Sequence, residues 1–183
     1  LLTGYSPSIN LILTMRKLKI TELKRLSTKE FKSVEKTPLV LVLDNIRSMH
    51  NVGSFFRTAD AFRINAIYLC GITAEPSHSE VHKTALGAED VVSWRYYRDT
   101  VTAVEKLRAA GYTIFAVEQV ENSISLQNLE IEKGSKVALV FGNEVKGVQQ
   151  EVINKVDNTI EIPQYGTKHS LNVSVSAGIV IWD

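Results

Sequence analysis

The segment "PLVLVLD", beginning at Pro38, constrains the fold more than any other part of the chain. It is a continuous apolar run of strand length, the pattern of a strand buried on both faces. Runs of the same kind recur at "NAIYLCG", "YTIFAVE" and "KVALVFG", and between them the hydrophobic period changes. In "NVGSFFRTADAF", Val52, Phe55, Phe56, Ala59 and Phe62 fall at i, i+3, i+4, i+7 and i+10, one face of a helix. Helices are also expected across "SEVHKTALG", "DTVTAVEKLRAAG" and "VQQEVINKV", and from Ser170 to the end, with shorter strands at "DVVSW" and "NTIEIP". This alternation predicts an α/β fold, a mainly parallel sheet flanked by helices, over residues 38–183. There is no internal repeat and no low-complexity segment.

At 183 residues and 44% hydrophobic, the chain has the size and apolar content for one well-cored domain. Its apolar runs are far shorter than the roughly 20 residues that span a bilayer, so no membrane association is expected. The single cysteine, Cys70, rules out a disulfide framework, and the Cys/His count argues against structural zinc. A cytoplasmic protein without a metal is the expectation. Residues 1–14, "LLTGYSPSINLILT", lack the charged start and cleavage site of a secretory signal. The stretch "MRKLKITEL" from Met15 reads as a natural start, so the expectation for residues 1–14 is an upstream extension or a remnant foreign to the natural chain.

The net charge of +1 conceals an asymmetry. Between Arg16 and Lys36 eight basic side chains face three acidic ones, a net of +5, which leaves about −4 for the remainder. Residues 1–37 thus form a basic N-terminal extension, either a solvated arm or a contact for RNA phosphates through Arg16, Lys17, Lys19, Lys24 and Arg25.

In open parallel sheets, ligands collect beyond the carboxyl ends of the strands, so the loops there are where chemistry is expected. Three such loops carry unusual residues. In "DNIRSMHNVGSFFRTAD", Asn51 is a candidate helix cap, Gly53 leaves the backbone open in the first turn, and Arg57 lies about one and a half turns into the helix. "FGNEVKGV" brings Gly142, Asn143, Glu144 and Gly147 directly after a buried strand, as a tight turn or a ligand loop. "IEIPQYGTKHSLNVSVSAG" ends with Ser170 as the expected cap of the last helix. Asn172 follows in its first turn, where an asparagine needs a partner for its amide. The Walker order and the G-x-G-x-x-G fingerprint are both absent, which disfavours a phosphate-cradling nucleotide site.

Together and in this order, N-x-G-x-x-x-R, F-G-x-E-x-x-G and I-P-x-x-G-x-x-x-S-L-N-V-S resemble the SpoU/TrmH family of RNA ribose 2′-O-methyltransferases, within the SPOUT class. The resemblance covers about residues 38–183. It implies a C-terminal deep trefoil knot, a homodimer, and S-adenosylmethionine as cofactor bound near the dimer interface. It also implies an active site of Asn51, Arg57, Glu144, Ser170 and Asn172. The cofactor would be held by Gly142, Ile162 and Leu171 through backbone groups, with Val117, Asn143, Gly147 and Ser170 beside them. RNA, either tRNA or rRNA, would be the partner, with Arg57 and Lys168 on its path. Gln164 departs from the family pattern, standing where methionine is usual.

Methyl transfer from a sulfonium to a ribose hydroxyl is an in-line displacement that needs no metal. It requires a 2′-oxygen held close to the methyl carbon and relieved of its proton, and positioning can supply roughly 7–11 kcal/mol of such a barrier. Arginine is a poor base, with a pKa above about 12. Arg57 is therefore read as a phosphate-anchored group that orients the hydroxyl, with a neutral Arg57 acting as base as the other possibility. A catalytically silent RNA-binding protein of the same fold would keep the basic segment but should lose Arg57 or the polar pair, and both are present.

Overall fold

The structure, a computed structural model, describes residues 15–183; the upstream extension expected at residues 1–14 lies outside the described residues. A short helix, α1 (Thr28–Ser33), leads into β1 (Thr37–Asp44), α2 (Met49–Ala61) and β2 (Ile64–Cys70). Next come α3 (Ser79–Ala85), β3 (Trp94–Tyr97), α4 (Thr100–Ala109), β4 (Thr113–Val117) and the two-residue β5 (Ile124–Ser125). The chain continues through β6 (Val137–Phe141), α5 (Gln150–Ile153), β7 (Asn158–Glu161) and α6 (Val173–Trp182).

The seven strands form one sheet in the order β3-β2-β1-β6-β4-β7-β5, and every pairing is parallel. Because successive side chains of a strand point to opposite faces, each central strand feeds two cores. From β1, Leu41 and Leu43 join Phe55, Phe56 and Phe141 in a core that also includes Val52 and Ala59 of α2, Val81 and Ala85 of α3 and Ala177 and Val180 of α6. Val40 and Val42 enter the opposite core with Ala103, Val104 and Leu107 of α4 and Val152 of α5. Rings of Phe55 and Phe141 meet at 5.2 Å in a tilted arrangement, which fastens α2 to the centre of the sheet. The sequence expectation of a mainly parallel α/β fold therefore holds.

Four local expectations are corrected. The strand expected at "DVVSW" begins only at Trp94, because residues 88–90 form a 3-10 turn after left-handed Leu86 and Gly87. The N-cap of α2 is Ser48, whose side chain accepts from the Asn51 amide, so Asn51 lies inside the first turn. The N-cap of α6 is Asn172, not Ser170. Gly53 does not open the backbone to a ligand: a Cβ there would lie 1.9 Å from Thr84 Oγ1 and 2.6 Å from the Val81 carbonyl oxygen, so its place is the close packing of α2 on α3.

The basic segment is tied to the core at one point. Ser27 and Glu30 form a capping box for α1, which seats Phe31 in the core. Lys36 donates to the Phe31 carbonyl and lies 3.6 Å from the centre of its ring. Before α1 the chain is exposed, and Arg16 forks onto Glu22 at 2.7 and 3.0 Å.

The α2–α3 contact yields a stability prediction. Gly53→Ala forces Cβ into the Val81 carbonyl, which a side-chain rotation cannot relieve. Overpacking of this kind costs about 1–3 kcal/mol, read as a lower denaturation midpoint. An unchanged midpoint would show that the two helices are free to part.

Candidate active site

The carboxyl ends of β4, β6 and β7 open into a cleft of 670 Å³, a size ordinary for a small-molecule site. Five stretches line it: the loop after β4, the turn after β6, α5 through Gln150 and Ile153, the loop after β7 and the start of α6. All seven residues expected to hold the cofactor, Val117, Gly142, Asn143, Gly147, Ile162, Ser170 and Leu171, border this one cleft. Glu144 and Asn172 border it too, as does the divergent Gln164.

The turn after β6 is built from its own backbone. Asn143 N donates to the Gly147 carbonyl and Gly147 N to the Asn143 carbonyl, while Asn143 Oδ1 accepts from the amides of Val145 and Lys146. This closure leaves no room at Gly142, where a Cβ would come within 2.1 Å of both Gly147 C and Val148 N. Gly147 is left-handed, with φ of +67°, and a Cβ on it would strike Glu118 Oε2 at 2.2 Å. Glu118 accepts from Val148 N at 2.9 Å, which couples the loop after β4 to the turn after β6.

Glu144 extends from that turn to the start of α2. Its carboxylate accepts from the backbone amides of Arg47 and Ser48 and from Asn51 Nδ2, each at 2.9 Å. Burial alone would raise its pKa, but these donors outweigh it and hold the carboxyl below its ordinary value. The positive end of α2 favours the same charged form. Asn51, itself buried, accepts at Oδ1 from Asn172 Nδ2 at 3.2 Å and from Ser174 Oγ at 3.3 Å. Asn172 meanwhile caps α6 by accepting from Ser174 N and Val175 N.

Asn51, Glu144 and Asn172 thus form one chain of hydrogen bonds. Ser170 stays outside it; exposed on the cleft wall, it makes no hydrogen bond to the described residues. Arg57 lies on the exposed side of α2, off the cleft lining and without a hydrogen bond or ion pair among the described residues. Lys168 is exposed in the loop after β7. Sequence reasoning missed Glu118 and Ser174. Glu118 follows strand β4 directly, a position where a charged residue could have been noticed; Ser174 is masked by the apolar helix around it. Among the described residues no three His, Cys, Asp or Glu side chains group as metal ligands, and no helix is long and apolar enough to cross a membrane.

Comparison with known proteins agrees with this geometry. A tRNA (guanosine(18)-2′-O)-methyltransferase of Aquifex aeolicus is 30% identical over 88% of this chain and 74% of its own length. The 23S rRNA (guanosine-2′-O-)-methyltransferase RlmB of Neisseria meningitidis is 31% identical, with 81% of this chain matching 58% of that protein. Among solved structures, the Aquifex aeolicus TrmH/SpoU tRNA modifying enzyme superposes with a TM-score of 0.73 at 28% identity, covering 85% of this chain and 77% of that one. An AdoMet-bound rRNA methyltransferase from Sinorhizobium meliloti gives 0.74 at 27% identity, over 83% of this chain and 58% of the other. The family model described as the SpoU rRNA Methylase family matches residues 38–182, nearly the whole span of the sheet and its helices, and the chain belongs to that family.

Proposed function

We propose that the protein transfers a methyl group from S-adenosylmethionine to a ribose 2′-hydroxyl of tRNA or rRNA. The observation that carries this reading is the convergence of the loops after β4, β6 and β7 on one cleft, with Asn51 of α2 hydrogen-bonded to Glu144 and Asn172, two residues of its lining. The cleft suits the cofactor chemically. Val117, Ile162 and Leu171 offer apolar surface for a base, and Glu118, Glu144 and Glu161 against Lys146 favour a cationic ligand. S-adenosylmethionine supplies a methyl on a positively charged sulfur, which leaves as a neutral thioether.

The chain's own residues then have to place and deprotonate the 2′-hydroxyl. Asn51 has its amide fixed by Glu144 and Asn172, so it presents a rigid polar wall at the start of α2. Arg57, with no protein partner among the described residues, keeps its planar fork for the substrate. One edge grips an RNA phosphate while the other donates to the 2′-oxygen and stabilises the charge that develops as its proton is lost to water. Such a role uses the guanidinium as a donor and never requires it to act as base.

A second copy of the chain completes the assembly in this reading. Helix α6 is apolar almost all round: Ala177 and Val180 face the core, while Val175, Ile179 and Trp182 are 51%, 38% and 78% exposed. Trp182 meets Phe62, the C-cap of α2, edge-on at 6.0 Å, so the uncovered apolar surface runs from α6 to the end of the helix that bears Arg57. A homodimer through this face covers it and sets the cleft beside the interface. The trefoil knot belongs to the same proposal, with the segment from Ile162 to Asn172 passing through the loop ahead of it.

Phosphate contacts are assigned to the exposed segment before α1. Lys17, Lys19, Lys24 and Arg25 are exposed there, whereas Arg16 is engaged by Glu22 and Lys36 by Phe31. Lys168, exposed in the loop after β7, is a further phosphate contact in this reading.

Two measurements follow. Arg57→Lys keeps the charge but loses the fork, so methyl transfer to total RNA from labelled cofactor falls by about a hundredfold or more while cofactor affinity stays within about twofold. Near-normal turnover would make Arg57 a solvated helix residue. Changing Lys17, Lys19, Lys24 and Arg25 together to Gln weakens RNA binding and flattens its salt dependence by about 0.7 in log–log slope for each phosphate that is no longer neutralised. An unchanged affinity and slope would move RNA recognition elsewhere.

A further inference from the structure

A second cavity, of 470 Å³, lies on the side of α3 away from α2 and has no part in the methyl-transfer chemistry. Thr84 and Glu80 turn towards α2, where Thr84 meets Gly53 and Glu80 pairs with His50 at 3.9 Å. Ser79 and His82 border the cavity on the other side, with Pro76, Ser77, Glu89, Asp90 and Trp94 completing its wall. Glu89 is the unusual member. Its side chain is 5% exposed, His82 Nδ1 engages Oε1, and Oε2 is buried with no hydrogen-bond partner among the described residues. A buried carboxylate oxygen without a donor is costly, and such sites in folded proteins call for an explanation.

We propose that this cavity binds an unpaired guanine of the substrate RNA. This inference rests on the RNA-methyltransferase reading and adds a site to it. The lining holds two carboxylates and no lysine or arginine, so it repels phosphate and selects a neutral group rich in N–H donors. The Watson–Crick edge of guanine carries two such donors side by side, N1–H and the 2-amino group, which match the Glu89 carboxylate once its side chain turns Oε2, buried in the free protein, into the cavity. Trp94, 36% exposed at the start of edge strand β3, supplies a ring on which a splayed base stacks. The strand continues with Arg95 and Tyr96, and Arg98 follows it. Both arginines are exposed and without ion pairs among the described residues, placed to hold the flanking phosphates. An α-helix with its side chains is about 10–12 Å across, so α3 separates this pocket from the exposed face of α2. The base it takes is therefore a neighbour of the methylated nucleotide, and the pocket sets the register of the RNA.

The test uses the whole chain and fluorescein-labelled pentaribonucleotides UUGUU, UUAUU, UUCUU and UUUUU, read by anisotropy at fixed salt. UUGUU is expected to bind about tenfold more tightly than the others, a preference of the size a matched base edge gives. Replacing its guanosine by inosine, which lacks the 2-amino group, removes much of that preference with the protein unaltered. Glu89→Gln should abolish it while S-adenosylmethionine binding, measured by calorimetry on the same variant, is unchanged. Equal binding of all four oligomers, or a guanine preference that survives both inosine and Glu89→Gln, overturns the proposal. The methyltransferase reading is judged separately, because the oligomer measurement needs no cofactor and cofactor binding needs no guanine.

Discussion

One carboxylate organises the active-site end of this protein. Glu144 projects from the turn after β6 and accepts two backbone amides at the start of α2 together with the side-chain amide of Asn51, 93 residues away in sequence. Asn51 passes the connection on to Asn172, 121 residues away at the cap of α6. Each bond is modest by itself, but a carboxylate beside a helix start gains from charge as well as from hydrogen bonding. It adds hydrogen bonds from three donors to the single one from Asn143 Nδ2 to the Asn45 carbonyl at 2.7 Å, and so ties the turn after β6 both to the loop after β1 and to the start of α2.

The tight geometry around this network explains the glycines of the second motif. A turn that folds its backbone back onto itself can place Glu144 towards α2 only if Gly142 lacks a Cβ and Gly147 adopts a left-handed backbone. Glu118 then fills the space beside Gly147 and ties down Val148. The cleft wall is thus preorganised by contacts within the protein, the condition under which positioning of a reacting group contributes most to a rate.

Much of this was legible in the sequence, for physical reasons. Long apolar runs such as "VLVL" and "VALVF" have to be central parallel strands, and the period of Val52, Phe55, Phe56 and Ala59 has to be a helix against them. All seven expected cofactor contacts border one cleft because the loops at the carboxyl ends of neighbouring parallel strands are brought together by the sheet. What the sequence concealed were choices between equivalent polar residues. Ser48 and Asn51 can both cap α2, as can Ser170 and Asn172 for α6, and propensity cannot separate them. The choice was made by a distant partner: Asn51 is needed by Glu144, and Asn172 reaches Asn51 while capping. Gly53 misled for a similar reason, since its missing side chain serves the packing of the next helix, α3, which its own segment does not reveal. The partnerless oxygen of Glu89 could not be read from sequence at all, because burial without a donor exists only in three dimensions.

The central claim is that the cleft at the ends of β4, β6 and β7 holds S-adenosylmethionine. Isothermal titration calorimetry of the full chain, with a chelator present, tests it most directly. The account predicts that S-adenosylmethionine and its demethylated product each bind at one site per chain and compete for it. Absence of binding by either molecule at millimolar concentration would contradict it.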